Sequence, residues 1–274
     1  TSQVWKKDPS TVTKEEYSDK VDIELKEASE LINQGTRFGK HGNLEEALNK
    51  FDAVIIKYGS SSKVSLLIKT ARALFNKGLT LGNLGKSEEA IKVYDEVVER
   101  FGSRKETELL VQVSSALFNK GVALKLREKY EESEKTFLKA IELASDFIAA
   151  YIGFIELLLQ IPGRQKDALQ IAEEIIGRKE ADSALLNSVS WAFYKHRDLS
   201  LLRKAEKWAQ QAVSLSPDNT HIHHTLACIL SALGKGSEAI ESAKRYIQDE
   251  ALVEKNIEDS IGLFVELAAT GHAK

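Results

Sequence analysis

The chain has 274 residues, 43% of them hydrophobic and 29% charged, and this balance excludes extended disorder except at the ends. Only three prolines occur, and neither aromatic nor β-branched residues dominate, so the composition favours long helices over many short strands. The net charge of −3 lacks the cationic surplus typical of nucleic-acid binding, and the most apolar stretch, 147–161, is too short for a membrane span.

The N-terminal residues differ from the rest of the chain. Residues 1–12 are polar and are predicted to be a disordered or extended segment. Thr13 and Glu16 then have the spacing of a capping box, which predicts that a helix opens here. Helical structure is therefore expected over residues 13–274.

A repeated unit follows. The hexapeptide Ala-Leu-Phe-Asn-Lys-Gly stands at 73–78 and again at 116–121, an offset of 43 residues. A Gly-containing segment comes after each copy, with GNLGKSEEA at 82–90 and the related LGKGSEAI at 233–240. Apolar residues on both sides of this segment recur at helical spacing. Each unit is therefore predicted to be two helices joined by a short turn.

These residues resemble the tetratricopeptide repeat, a motif of about 34 residues in which small residues let two helices cross closely. The small residues of its first helix correspond to Gly35, Gly78, Gly121, Gly153, Ser190 and Ala227. Those of its second helix correspond to Ala47, Ala90, Ser133, Ala168, Ala205 and Ala239. The motif's aromatic position corresponds to Phe51, Tyr94, Phe137, Ala172, Ala209 and Ala243.

The resemblance implies an all-α fold, a right-handed α-α superhelical solenoid of about six tetratricopeptide (TPR) helix pairs with a C-terminal capping helix. The units would lie at about 25–60, 64–102, 108–145, 146–179, 182–217 and 219–250, and the capping helix at 257–269. Lys77 and Lys120 depart from the motif, which usually has an apolar residue there. The long linkers before the second and third units predict extra N-terminal turns on their first helices. Three extra residues are expected in the internal turns near 161–164 and 198–202.

In this family the first helices line a concave groove, and the corresponding residues can be named. They are Arg72, Phe75, Asn76, Leu79 and Asn83 in unit two, Phe118, Asn119, Val122, Lys125 and Leu126 in unit three, Phe154 and Leu158 in unit four, Asn187, Trp191, Tyr194 and Lys195 in unit five, and His224 in unit six. A surface this apolar and aromatic is typical of interaction sites. The alternatives are that the aromatics pack between helices, or that the last helix fills the groove.

Polar residues allow further interpretations. Asn33, Asn76 and Asn119 recur at one motif position, where they could hydrogen-bond a ligand backbone or serve the scaffold itself. His221, His224 and Cys228 share one helix face and form a weak zinc candidate, because a fourth ligand is missing. We therefore expect no metal and no cofactor. The clamp with which some family members bind acidic C-terminal peptides is matched only at Asn76.

Catalysis finds little support, since the chain has no phosphate-binding Gly-rich loop, no cysteine pair and no nucleophile elbow. The favoured function is a non-catalytic protein–protein interaction scaffold that binds a peptide or amphipathic helix and no nucleic acid. One alternative is a sensor or oligomerisation arm of a larger signalling or effector protein, suggested by the missing methionine. Another is an RNA-binding helical repeat, which would need a basic groove. The oligomeric state stays open.

The single cysteine, Cys228, excludes an intrachain disulfide and suits a reducing compartment. A cytoplasmic location is therefore expected. A signal peptide already removed from the chain remains the alternative.

Overall fold

The computed structural model describes residues 14–178 and 181–247, and over these ranges the chain forms twelve α-helices without a strand. The predicted all-α fold is confirmed. The helices are α1 (Lys14–Lys40), α2 (Leu44–Tyr58), α3 (Val64–Asn83), α4 (Ser87–Phe101), α5 (Thr107–Leu126), α6 (Tyr130–Leu143), α7 (Ile148–Gln160), α8 (Gln165–Arg178), α9 (Ser183–His196), α10 (Leu199–Leu215), α11 (Thr220–Ala232) and α12 (Gly236–Ile247). The predictions for residues 1–12, for Thr13 and for a capping helix at 257–269 fall outside the described residues.

The chain divides into two compact units, Thr1–Ser145 and Asp146–Lys274. In unit 1 the odd-numbered helices α1, α3 and α5 pack side by side, and each also packs against the even-numbered helix that follows it. In unit 2 the helices α7, α9 and α11 are arranged in the same way with α8, α10 and α12. We call the odd-numbered helices first helices and the even-numbered helices second helices. This is the pairing expected of a tetratricopeptide solenoid.

Glycine and an aromatic ring fix the crossing of each helix pair in unit 1. The pairs in contact are Gly35–Phe51, Gly78–Tyr94 and Gly121–Phe137. A methyl group on Gly35 would lie 2.6 Å from Cε1 of the Phe51 ring, which is closer than nonbonded carbon atoms approach. Burial against the helix also raises the pKa of the Tyr94 hydroxyl. The small residue is therefore required because the ring occupies the volume that a side chain would need.

The extra turns predicted for the second and third units are present. Helices α3 and α5 are each 20 residues long and begin at Val64 and Thr107. The added turns are held by buried apolar side chains, among them Leu66 and Leu109. Two added turns lengthen each first helix by about 10 Å, at a rise of about 1.5 Å per residue.

The structure also explains the two lysines at a normally apolar motif position. Lys77 Nζ lies 2.6 Å from Asp52 Oδ1, and Lys120 Nζ lies 2.5 Å from Asp95 Oδ1. Each pair joins a first helix to the second helix of the preceding pair. An ion pair therefore links neighbouring helix pairs where the motif usually has an apolar contact.

The six turns inside the helix pairs all contain one residue in the left-handed region. These residues are Gly42, Gly85, Glu128, Gly163, Arg197 and Gly234. Only Glu128 and Arg197, with φ of 59° and 62°, are not glycine. The left-handed conformation reverses the chain within a few residues, which explains why glycine is preferred.

One prediction about these turns is wrong. Extra residues near 198–202 were expected to lengthen the turn, but α10 begins at Leu199. The carboxylate of Asp198 accepts hydrogen bonds from the backbone N–H groups of Ser200 and Leu201, at 2.9 and 3.2 Å. Asp198 thus caps α10, and the extra residues lengthen the helix. Between α7 and α8 the turn has four residues, 161–164, against three between α3 and α4, so it is longer by one residue and not by the three expected.

None of the described helices combines the length and the apolar character that crossing a bilayer requires.

Candidate functional site

Helix α5 in unit 1 carries apolar side chains on two faces. One face is buried and carries Leu109, Val113, Leu117 and Leu124. The other carries Val111, Phe118, Val122 and Leu126, which we call the α5 row. Val111 is 53% exposed and Leu126 is 75% exposed, although a helix that is apolar on all sides is normally buried. The α5 row is therefore an uncovered apolar surface.

Helix α3 adds Phe75 and Leu79 to this surface. Phe75 is half-buried, and its ring centroid lies 6.4 Å from that of Tyr94 on α4. Phe118 is held in the same way, 6.1 Å from Phe137 on α6. Each ring therefore packs partly between helices and keeps part of its face in solvent. Both sequence-based interpretations of these aromatics hold in part.

The polar residues predicted for this face differ in their exposure and in their hydrogen bonds. Arg72 and Asn83 are exposed. The side-chain amide of Asn119 donates to the Ser115 carbonyl at 2.9 Å, so it serves its own helix. The amide of Asn76 makes no hydrogen bond with any residue that the structure describes, and it is only half-buried. Of the two asparagines at this motif position on α3 and α5, Asn76 is thus better placed for a ligand than Asn119.

Four predicted groove residues are buried, and their assignment to an open groove is wrong. Lys125 is 8% exposed, and Phe154 and Tyr194 are also buried. Leu158 is completely buried on α7, a helix whose apolar residues surround its axis. The motif position predicts which way a side chain points relative to the two helices of its own pair. It does not say whether neighbouring side chains cover that direction.

In unit 2 the structure brings several predicted residues together around Trp191. The ring centroid of this half-buried tryptophan lies 5.1 Å from that of Tyr194 and 5.9 Å from that of His224 on α11. Asn187 lies one turn before Trp191 on α9, and its Oδ1 is buried without a hydrogen-bond partner among the described residues. We call these four residues the Trp191 cluster.

Two side chains border the Trp191 cluster. Arg197 Nη2 donates to the Tyr194 hydroxyl at 2.7 Å, and its guanidinium carbon lies 4.2 Å from the Tyr194 ring centroid. Lys195 is exposed and pairs with Glu156 on α7 at 2.5 Å. The hydroxyl of Tyr194 and the charge of Lys195 therefore already have partners within unit 2.

The weak zinc candidate is not assembled. Cys228 Sγ lies 3.8 Å from His224 Nε2, but Cys228 is buried and His221 is exposed. Within the part of the chain that the structure describes, no three His, Cys, Asp or Glu side chains form a group that could hold a metal ion.

Sequence reasoning missed Val111 and the orphan amide oxygen of Asn187. Val111 could have been found, because it stands seven residues before Phe118 and so lies on the same helix face. Whether the Asn187 oxygen is buried without a partner depends on packing between helices, and no residue pattern predicts it.

Comparisons with known proteins agree with this architecture. The tetratricopeptide repeat family model matches residues 71–101 and 114–147, which contain most of α3 to α6. No curated protein sequence matches the chain. Among solved structures, pilF of Pseudomonas aeruginosa is 14% identical, with 89% of this chain and 99% of that chain covered and a TM-score of 0.54. The C-terminal part of a tetratricopeptide repeat-containing protein from Cytophaga hutchinsonii is 13% identical, with 89% and 96% covered and a TM-score of 0.53.

At such identities these structures are evidence for the fold alone. The repeated helix pairs, the Gly–aromatic crossings and the family match lead to one conclusion: residues 71–101 and 114–147 are tetratricopeptide repeats, and the other described helix pairs have the same fold.

Proposed function

We propose that the protein is a non-catalytic scaffold that binds another protein or a peptide on the first helices of unit 1. The observation that carries this proposal is the α5 row, an apolar face left in solvent on a helix whose opposite face is already packed. A tetratricopeptide fold, which presents first helices as a binding surface, supports the same function. The cytoplasmic location is part of the proposal and is supported by the single cysteine.

The energetic reason is the cost of exposed apolar area. Removing apolar surface from water contributes roughly 25 cal/mol per Å², so covering a side chain such as Leu126 is worth about 1.5 kcal/mol or more. Aromatic anchors add most to binding when they sit in well-packed surroundings. Phe75 and Phe118 meet this condition, because their rings are already oriented by Tyr94 and Phe137.

The Trp191 cluster, in which Asn187, Trp191 and His224 are half-buried, is a second candidate surface in unit 2. A buried polar atom without a partner raises the energy of the free protein, and a ligand that supplies the missing hydrogen bond removes this cost. The oxygen of Asn187 beside a half-exposed tryptophan therefore supports a binding role for this cluster as well.

The test is affinity capture of the partner with the full chain as bait, comparing wild type with a Val111→Ser/Leu126→Ser variant. Both side chains are exposed, so the variant should keep its helicity and its unfolding midpoint. The matched control is Ile56→Ser on α2, where the side chain is 82% exposed on a second helix.

A protein retained by wild type and by Ile56→Ser, but lost by the double variant, is the expected result. Equal retention by all three proteins would reject the α5 row as the binding surface. A parallel Trp191→Ala variant tests the cluster in unit 2.

A further inference from the structure

We propose that the surface formed by the α5 row and α3 binds an acidic amphipathic helix of a partner protein. This inference rests on the proposed function and adds the chemistry and the conformation of the partner. It stands on the charges of unit 1 and on the spacing of the α5 row.

Two of the first helices of unit 1, α3 and α5, differ in charge from the second helices, whereas α1 has seven acidic and five basic residues. Helices α3 and α5 contain five basic residues and one acidic residue, whereas α2, α4 and α6 contain twelve acidic and six basic residues. No acidic residue occurs anywhere in α3. A partner that approaches α3 and α5 therefore meets helices with more basic than acidic residues, in a chain whose net charge is negative, and complementary charge favours an acidic partner.

Few of these basic groups are available to a ligand. Lys77 and Lys120 are paired with aspartates, and Lys125 is buried. Arg72 is exposed, Lys69 is half-buried, and neither forms an ion pair with any described residue. Two such cations beside an apolar row fit a peptide with a few carboxylates. They do not fit RNA, whose phosphate chain needs several cations in line.

The spacing of the α5 row favours a helix as the partner. Val111, Phe118, Val122 and Leu126 follow one another at intervals of seven, four and four residues, and the polar Ser115 lies between the first two on the same face. With Ser115 included, successive side chains lie about 5–6 Å apart, one helical turn, along a line of about 22 Å. The apolar stripe of a partner helix has the same interval, so its side chains can interdigitate with the row. In an extended peptide, side chains on the same side lie about 6.7 Å apart. This spacing differs from that of the α5 row, so only a few successive side chains could match it.

The experiment measures fluorescence anisotropy of the full chain with three labelled peptides of about 18 residues. The first is helical, with leucine along one stripe and glutamate on the opposite face. The second has lysine in place of each glutamate, and the third has the composition of the first in an order without a stripe. The protein variants are Leu126→Ser and Arg72→Glu, with Ile56→Ser as the matched control.

The acidic amphipathic peptide is expected to bind wild type and Ile56→Ser equally. Leu126→Ser should weaken binding about tenfold, which corresponds to the transfer energy of one leucine side chain. Arg72→Glu should weaken it about tenfold through lost attraction and new repulsion, and should improve binding of the lysine peptide. Added salt should weaken the wild-type complex, because the charges are exposed.

Three results would overturn the inference. If the lysine peptide binds as tightly as the acidic peptide, the partner need not be acidic. If the peptide without a stripe binds as tightly, the partner need not be an amphipathic helix. Salt-sensitive RNA retention that Arg72→Glu abolishes would replace the protein partner by RNA.

Two further results would name another occupant. A dimer of the free protein that Leu126→Ser dissociates would identify a second copy of the chain. Stronger peptide binding after Ile261→Asp would identify the chain's own C-terminal segment. If affinity capture still depends on Val111 and Leu126 while the acidic peptide does not bind, only the chemistry of the partner is refuted and the proposed function stands.

Discussion

Lys77 on α3 forms an ion pair with Asp52 on α2, with Nζ 2.6 Å from Oδ1. The same contact recurs 43 residues later between Lys120 and Asp95. The same ion pair thus links two successive helix pairs, at a site where the motif usually has an apolar contact.

A double-mutant cycle of Lys77→Ala and Asp52→Ala should give a coupling energy of about 0.2–1 kcal/mol, typical of partly exposed ion pairs. The side chains are 26% and 40% exposed, so solvent screens the attraction. Urea unfolding of the four proteins measures this energy, and 1 M salt should reduce it. A cycle between Asp52 and the distant Lys139 serves as the control and should show no coupling. A large coupling that salt leaves unchanged would contradict a screened pair.

Gly121→Ala tests the close crossing of α5 and α6. Alanine is the better helix former by about 1 kcal/mol, so propensity alone predicts stabilisation. A methyl group here would lie 2.8 Å from Cε1 of Phe137, so overpacking should instead destabilise by about 1–3 kcal/mol. The control is Gly82→Ala on α3, where nothing lies within 4 Å of the new methyl group and a small gain is expected. Opposite signs in thermal unfolding confirm the steric reason, and equal signs contradict it.

These crossings show what the sequence could predict. Gly121 and Phe137 are 16 residues apart, and their contact follows from the motif because both belong to one helix pair. Leu158 occupies a motif position that points away from its own pair, yet it is buried. Its burial depends on how other parts of the chain cover α7, and a motif built from one pair has no information about that. The sequence feature that indicates the burial of Leu158 is the apolar character of α7 on all sides.

Glu27 on α1 links the charge of unit 1 to its stability at low pH. Lys57 Nζ lies 2.5 Å from Glu27 Oε1, and the Tyr58 hydroxyl donates to Oε2 at 2.9 Å. The hydrogen bond from Lys57, followed by that from Tyr58, lowers the pKa of Glu27 below its ordinary value of 4.5. A lowered pKa contributes stability above that value and loses it as the pH falls through the folded-state pKa.

Glu27→Gln should therefore lower the unfolding temperature at neutral pH, and the difference from wild type should shrink toward about pH 3. Thermal unfolding followed by circular dichroism across this range provides the measurement. Glu99→Gln on α4 is the control, because that exposed side chain bonds to no described residue. A difference that stays constant from neutral to acid pH would show that the carboxylate charge is not the cause.

Glu128 is strained in the turn between α5 and α6, where φ is 59°. Four of the equivalent turns use glycine. The left-handed conformation costs a residue with a side chain roughly 1–2 kcal/mol, part of which the greater freedom of unfolded glycine offsets. Glu128→Gly should therefore raise the free energy of unfolding by about 1 kcal/mol. Urea denaturation measures the gain, and a loss of stability would mean that the Glu128 side chain makes contacts worth more than the strain.

Arg197→Gly offers the informative comparison. Arg197 has a similar φ of 62°, but its guanidinium covers and hydrogen-bonds Tyr194. Removing that contact offsets the relief of strain, so the gain should be smaller than at Glu128.

Asn187→Leu tests whether the Trp191 cluster keeps a polar atom at a cost in stability. The buried Oδ1 of Asn187 has no partner among the described residues, and leaving such a group unsatisfied costs about 1–3 kcal/mol. Leucine has the same number and branching of side-chain heavy atoms without the polar ones, so the variant should be more stable by about 1 kcal/mol in urea unfolding. Asn187→Asp is the opposing variant, because it places a charge in the same surroundings and should be less stable. If Asn187→Leu destabilises the protein, the oxygen is already satisfied, and it then gives no support to a binding role for the cluster.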